Sequence, residues 1–108
     1  MSVKRIWHGW TTKENADIYQ QLLKDEIFPG IAAKKINGYT SIELLRQEHE
    51  DEIEFVTIMT FDSIQNVIDF QGEDYKKCYV PEAAQKVLKR WDLESSHYEE
   101  IDYLRYSS

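Results

Sequence analysis

Hydrophobic positions along this chain change period several times, and each change marks an element. Val3 to Trp10 (VKRIWHGW) is rich in aromatic and β-branched residues with no clean polar side, which predicts a strand lined on both faces. Thr11 or Thr12 can then cap a helix with its hydroxyl, and Ala16, Tyr19, Leu22, Leu23 and Ile27 recur at helical steps. That spacing predicts a helix with one buried face, ending near Pro29-Gly30. Asn37-Gly38 opens a second strand, Tyr39 to His49, and EHEDE turns the chain into a third, Glu52 to Phe61.

The third strand carries an unbroken apolar run, IEFVTIMTF, which suits a central position. Asp62 or Ser63 caps a second helix with Ile64, Val67, Ile68 and Phe70 on its inner stripe, and Gly72 ends it. Asp74 to Tyr79 reads as a short helical or irregular piece. Pro81 opens a helix to about Arg90, with Ala84, Val87, Leu88 and Trp91 on its apolar face. His97 to Tyr106 (HYEEIDYLRY) is the last strand. The order β-α-β-β-α-β, with the second helical region split, predicts an α+β fold of the ferredoxin-like, split βαβ plan: a four-stranded antiparallel sheet with helices on one face. Phe55, Thr57, Met59 and Phe61 point to one side of the third strand and Val56, Ile58 and Thr60 to the other, so neither side is made for water. The helices suffice for one. A second, identical sheet is expected on the other, making a homodimer through the sheet face.

Length and charge narrow the partners. At 108 residues the chain is expected to form a single domain, burying somewhat over ~60% of its unfolded surface. The net charge of −7 repels a phosphate backbone, so nucleic acid is not an expected partner. The acidic runs Glu48 to Glu54 and Glu94 to Asp102 read as solvated strand ends. Cys78 is the single cysteine, which rules out an internal disulfide and fits a reducing cytoplasm. The N-terminus lacks a signal-peptide apolar run, and no stretch reaches the roughly 18 apolar residues of a membrane span, so no membrane association is expected. The histidines at 8, 49 and 97 follow no local ligand spacing, and no dinucleotide, acyl-hydrolase or NTPase motif is present; no metal or cofactor is expected.

The element order together with RIWHGWTTKENADIY, NGYTSIELLR, EFVTIMTFDSIQNVIDF and FQGEDYKKCYVPEAAQKVL followed by SHYEE resembles the antibiotic biosynthesis monooxygenase-like proteins of the dimeric α/β barrel superfamily, and a bacterial subgroup of them. The resemblance spans nearly the whole chain and implies a cavity between sheet and helices that holds an aromatic polyketide or a haem. Haem-degrading relatives carry an asparagine, a tryptophan and a histidine at positions that correspond here to Trp7, Phe70 and roughly Val80. These departures argue against haem degradation.

His97 is the titratable group best suited to take a proton from a phenol or hydroquinone. In the cofactor-independent chemistry the resemblance suggests, the ionised substrate itself passes an electron to dioxygen. Arg5 and Trp7 share a strand face with Gly9, whose missing side chain leaves room for a flat ligand beside an indole and a guanidinium; the alternative is that Trp7 is core and Gly9 marks a bulge. Tyr39 and Tyr75 are candidate pocket walls, Tyr75 as a gate, and His8 is expected at the rim or against the partner. Cys78 is expected to be inert. The expected function is monooxygenase-like oxidation of a small aromatic or quinol compound. The alternative is a non-catalytic small-ligand-binding or stress-response protein of the same fold.

Overall fold

A computed structural model describes residues 2–107. Its elements are β1 (Val3–Thr11), α1 (Ala16–Leu22), a wider helical turn at Leu23–Ile27, α2 (Phe28–Ala33), β2 (Tyr39–Glu48), β3 (Ile53–Phe61), α3 (Ile64–Gln71), α4 (Glu82–Gln85), β4 (Leu88–Trp91) and β5 (Ser96–Glu99). The sheet is antiparallel with the order β2-β3-β1-β4, and β5 also pairs with β1. This is the expected α+β ferredoxin-like arrangement, with one refinement. Its fourth position is shared by two short strands, β4 along Gly9–Thr11 and β5 along Val3–Ile6.

Three boundaries differ from expectation, each for a local reason. The first helical run continues past Pro29 to Ala33, because the Phe28 amide reaches back to the Leu23 carbonyl and the widened turn accommodates the proline ring. The helix expected from Pro81 to Arg90 holds only over α4. Leu88–Trp91 pairs as strand instead, since β1 would otherwise leave backbone groups at Gly9–Thr11 unbonded. Leu88, Val87 and Trp91 still reach the core, so helical spacing identified the right residues in the wrong conformation. The last strand, expected from His97 to Tyr106, stops at Glu99. The Glu100 amide bonds the Ser2 carbonyl at 2.8 Å, just outside the Val3 end of β1.

Strand alternation sorts the sheet into two faces. The inner face, under the helices, holds Ile53, Phe55, Met59 and Phe61 from β3, with Tyr19 of α1 edge-on to Phe55 at 5.1 Å. Val67 of α3 joins Met59 and Phe61 in a second cluster. Ser63 starts α3 by accepting the Asn66 amide at 3.3 Å, and Gly72 ends it at φ 94°. Gly38, at φ 77°, makes the turn into β2, and a side chain there would meet the Asn66 amide group.

Among the described residues no helix covers the outer face. Ile6 lies opposite Ile58, Leu45 opposite Val56, and Tyr98 extends the apolar strip along β5. Leu45 is 50% and Tyr98 57% exposed. One end of this face is polar: His8 lies 2.8 Å from Asp92 and 3.8 Å from Glu54, which also meets His49 at 2.7 Å. Arg90 stacks over Trp10. Beyond β5, Ile101, Tyr103, Leu104 and Tyr106 are all largely exposed.

Candidate functional site

A partly open cavity of about 570 Å³ lies between the inner face and the helical run from Tyr19 to Lys34, a size suited to a small organic ligand. Its floor is β1 and β3, through Arg5, Trp7, Thr57 and Met59. The widened turn contributes Leu23, Glu26 and Ile27, and α3 contributes Phe70 and Gln71. Turns of this kind displace a helix face by one residue and recur at functional sites. Exposed Glu26, Lys34 and Tyr79 stand at the mouth.

Arg5 is the central polar group. It is 5% exposed, and its Nη1 donates to the Tyr75 carbonyl at 2.6 Å and to His97 Nε2 at 2.9 Å, while Nη2 donates to the Lys77 carbonyl at 3.2 Å. A guanidinium only donates, so His97 Nε2 is the acceptor, its proton sits on Nδ1, and the imidazole is neutral. Burial, then the positive charges of Arg5 and Lys76, lower the His97 pKa to about 4. Burial also lowers that of Arg5.

The two carbonyls that hold Arg5 are in place because residues 76–78 zip against residues 93–95 at the joint between β4 and β5. Cys78 N–H bonds the Leu93 carbonyl at 3.3 Å and Ser95 N–H the Lys76 carbonyl at 2.7 Å. The same joint brings Cys78 Sγ within 2.8 Å of Ser95 Oγ, and both residues line the cavity. Burial raises the Cys78 pKa, so it rests as a thiol.

Of the residues singled out from the sequence, Arg5 and Trp7 line the cavity. Trp7 also fills the space above Gly9: a methyl group there would lie 2.8 Å from its ring, so the room expected for a ligand is taken by the indole itself. Its Nε1 donates to the Asp92 carbonyl at 2.9 Å. His97 and Tyr75 form a layer behind Arg5, with their rings edge-on at 5.1 Å, and are not among the lining residues. Tyr39 belongs to the second core cluster, tilted against Phe61 at 5.4 Å. His8 lies on the outer face, as its strand parity requires. Trp7, Phe70 and Val80, the positions matched to haem-binding residues, all face the cavity and offer iron no imidazole. Sequence reasoning missed Ser95 and the placement of Cys78. The contacts that bring them to Arg5 join residues some 70 to 90 positions apart, which no local pattern records. Among the described residues no group of three or more histidine, cysteine or carboxylate side chains is placed to hold a metal, and no helix is long and apolar enough to cross a membrane.

No family model and no curated protein matches the sequence. Solved structures do match. A candidate antibiotic biosynthesis monooxygenase from Bacillus cereus superposes with a TM-score of 0.72 at 11% identity, covering 100% of this chain and 99% of that one. Another from Nitrosomonas europaea gives 0.63 at 8% identity, covering 93% and 90%. A dimeric ferredoxin-like protein from an uncultured marine organism gives 0.58 at 12%, covering 98% and 100%. At such identities the likeness speaks for architecture: the chain has the ferredoxin-like α+β fold of antibiotic biosynthesis monooxygenase-like proteins.

Proposed function

We propose that this protein oxidises a small aromatic or quinol-type compound with dioxygen and without metal or flavin, in the cavity between its sheet and helices. The observation that carries the reading is that cavity, about 570 Å³, with an indole and a guanidinium in its floor. In an anthrone-type reaction the substrate CH₂ becomes a carbonyl: two hydrogens leave, one atom of O₂ enters the product and the other departs as water. The protein's part is to hold the ionised substrate, orient it and exclude water. Trp7 serves as a wall. His97 acts through Arg5, because its Nε2 lone pair is already engaged and its proton lies on the far nitrogen. The lone thiol Cys78 suits a reducing cytoplasm.

A second copy of the chain covers the outer face in this reading. Among the described residues no helix lies over the apolar strip of Ile6, Val56, Ile58, Leu45 and Tyr98, and one structural neighbour is described as dimeric.

Aerobic incubation with a panel of hydroquinones and anthrones tests the oxidation. Oxygen uptake above the spontaneous rate is expected, and Thr57→Trp, which fills the cavity floor, should remove the excess. No excess with any member of the panel would transfer the protein to the alternative, a non-catalytic small-ligand-binding or stress-response module.

A further inference from the structure

We infer that the cavity selects a ligand carrying a negative charge on a flat apolar body, and that Arg5 is the group that receives the charge. The inference deepens the proposed function and rests on the same cavity.

Arg5 is a buried cation whose protein partners are all neutral: two carbonyls and an imidazole lone pair. Among the described residues no carboxylate pairs with it. Taking a charge out of water without an opposite charge is costly, and proteins accept it where a ligand completes the pair. The guanidinium has five N–H groups. Three are spent on Tyr75, Lys77 and His97, leaving Nε–H and one hydrogen of Nη2. Among the described residues no fully buried polar side-chain atom lacks a partner, so the unpartnered Nε is not sealed off, and Arg5 is a lining residue of the cavity.

Neighbouring groups do not supply the missing anion. Cys78 is held as a neutral thiol against Ser95. At the mouth, Lys34 and Glu26 contribute one charge of each sign, and Lys34 lies over the Phe70 ring. The overall charge of −7 repels anions at a distance, so selection here is by contact in a low-dielectric recess and not by long-range steering. The walls beyond Arg5, including Trp7, Leu23, Ile27, Met59 and Phe70, are apolar and partly aromatic. An aromatic carboxylate or an ionised phenol combines the two requirements. The second is also the form that yields an electron to dioxygen.

Anilinonaphthalene sulfonate and its uncharged parent, phenylnaphthylamine, share one aromatic body and differ by the anion. Fluorescence titration should show the sulfonate binding the wild-type protein about tenfold or more tightly, as a charge-assisted contact implies. Arg5→Met, which keeps the length of the stem, should bring the two probes to within about twofold while leaving the uncharged one unchanged. Equal binding to the wild type, or a preference that survives Arg5→Met, overturns the inference. Should the variant fail to fold, the wild-type protein supplies a second reading. Cys78 should favour iodoacetate over iodoacetamide relative to a free model thiol, and a ratio at or below that of the model thiol overturns it equally. Displacement of the sulfonate by naphthoate but not by naphthol assigns a carboxylate, displacement by naphthol that strengthens as rising pH ionises it assigns an ionised hydroxyl, and absence of both overturns the inference. None of these readings needs turnover. Absent oxygen uptake removes the oxidation alone, and absent charge preference removes this inference alone.

Discussion

Replacing His97 by glutamine should flatten the response of stability to mild acid. In the folded chain His97 Nε2 accepts from Arg5 at 2.9 Å, and a proton placed there would set two cations face to face. Burial first, and then the cations of Arg5 and Lys76, lower its pKa from 6.5 to about 4. Below pH 6.5 the unfolded imidazole takes up a proton that the folded one refuses until about pH 4. Stability from this group is thus complete above pH 6.5 and is lost as pH falls toward 4. Undiminished, the shift corresponds to roughly 3 kcal/mol at about 1.4 kcal/mol per pH unit. Part of the ring remains in contact with water, and screening reduces the expected loss to about 1–2 kcal/mol. Glutamine offers Arg5 an acceptor oxygen and does not titrate. Urea denaturation at pH 7 and pH 4.5 should show the wild type losing that amount more than His97→Gln. Other groups, such as Glu52, whose pKa is lowered first by its hydrogen bond from Lys89, are common to both proteins and cancel. Equal losses in the two proteins would refute the assignment of His97 as a neutral acceptor.

Three further outcomes follow from packing. Gly9→Ala places a methyl group 2.8 Å from the Trp7 ring and 3.3 Å from Leu88; it should cost about 1–3 kcal/mol in chemical denaturation, and no change would contradict the close approach. Gly38→Ala meets both a φ of 77° and a clash with the Asn66 side-chain amide, so about 2–4 kcal/mol of stability and roughly 10 °C or more of Tm should go; an unchanged melting curve would show that the turn relaxes freely. Ile58→Glu, at the centre of the outer face opposite Ile6, should convert a dimer to a folded single chain by sedimentation velocity and circular dichroism. A wild-type protein that sediments as a single chain at micromolar concentration would remove the second copy from the reading.

The readable part of the fold was the part governed by local chemistry. β1, β3 and α3 fall within a residue or two of expectation because alternation, a serine cap and a glycine terminus are all written in adjacent residues. The segment after Pro81 misled because Ala84, Val87, Leu88 and Trp91 satisfy a helical stripe, while the demand that overrode it came from unpaired backbone on a strand some 80 residues away. The site divides in the same manner. Arg5 and Trp7 could be placed on one face by parity alone. The neutral state of His97 could not, since it depends on a guanidinium 92 residues distant. Cys78 looked isolated because its partner, Ser95, arrives only when β4 and β5 meet.

Asp92 belongs to both sides of the sheet. Its carbonyl fastens the Trp7 indole at 2.9 Å beside the cavity, and its carboxylate takes the His8 amide at 3.0 Å and the His8 ring at 2.8 Å on the opposite side. Wall and back are thus geared through one side chain and one peptide group. A substitution at Asp92 that removes its carboxylate is therefore expected to loosen His8 on the outer face, and one that displaces its peptide group to loosen the indole beside the chamber.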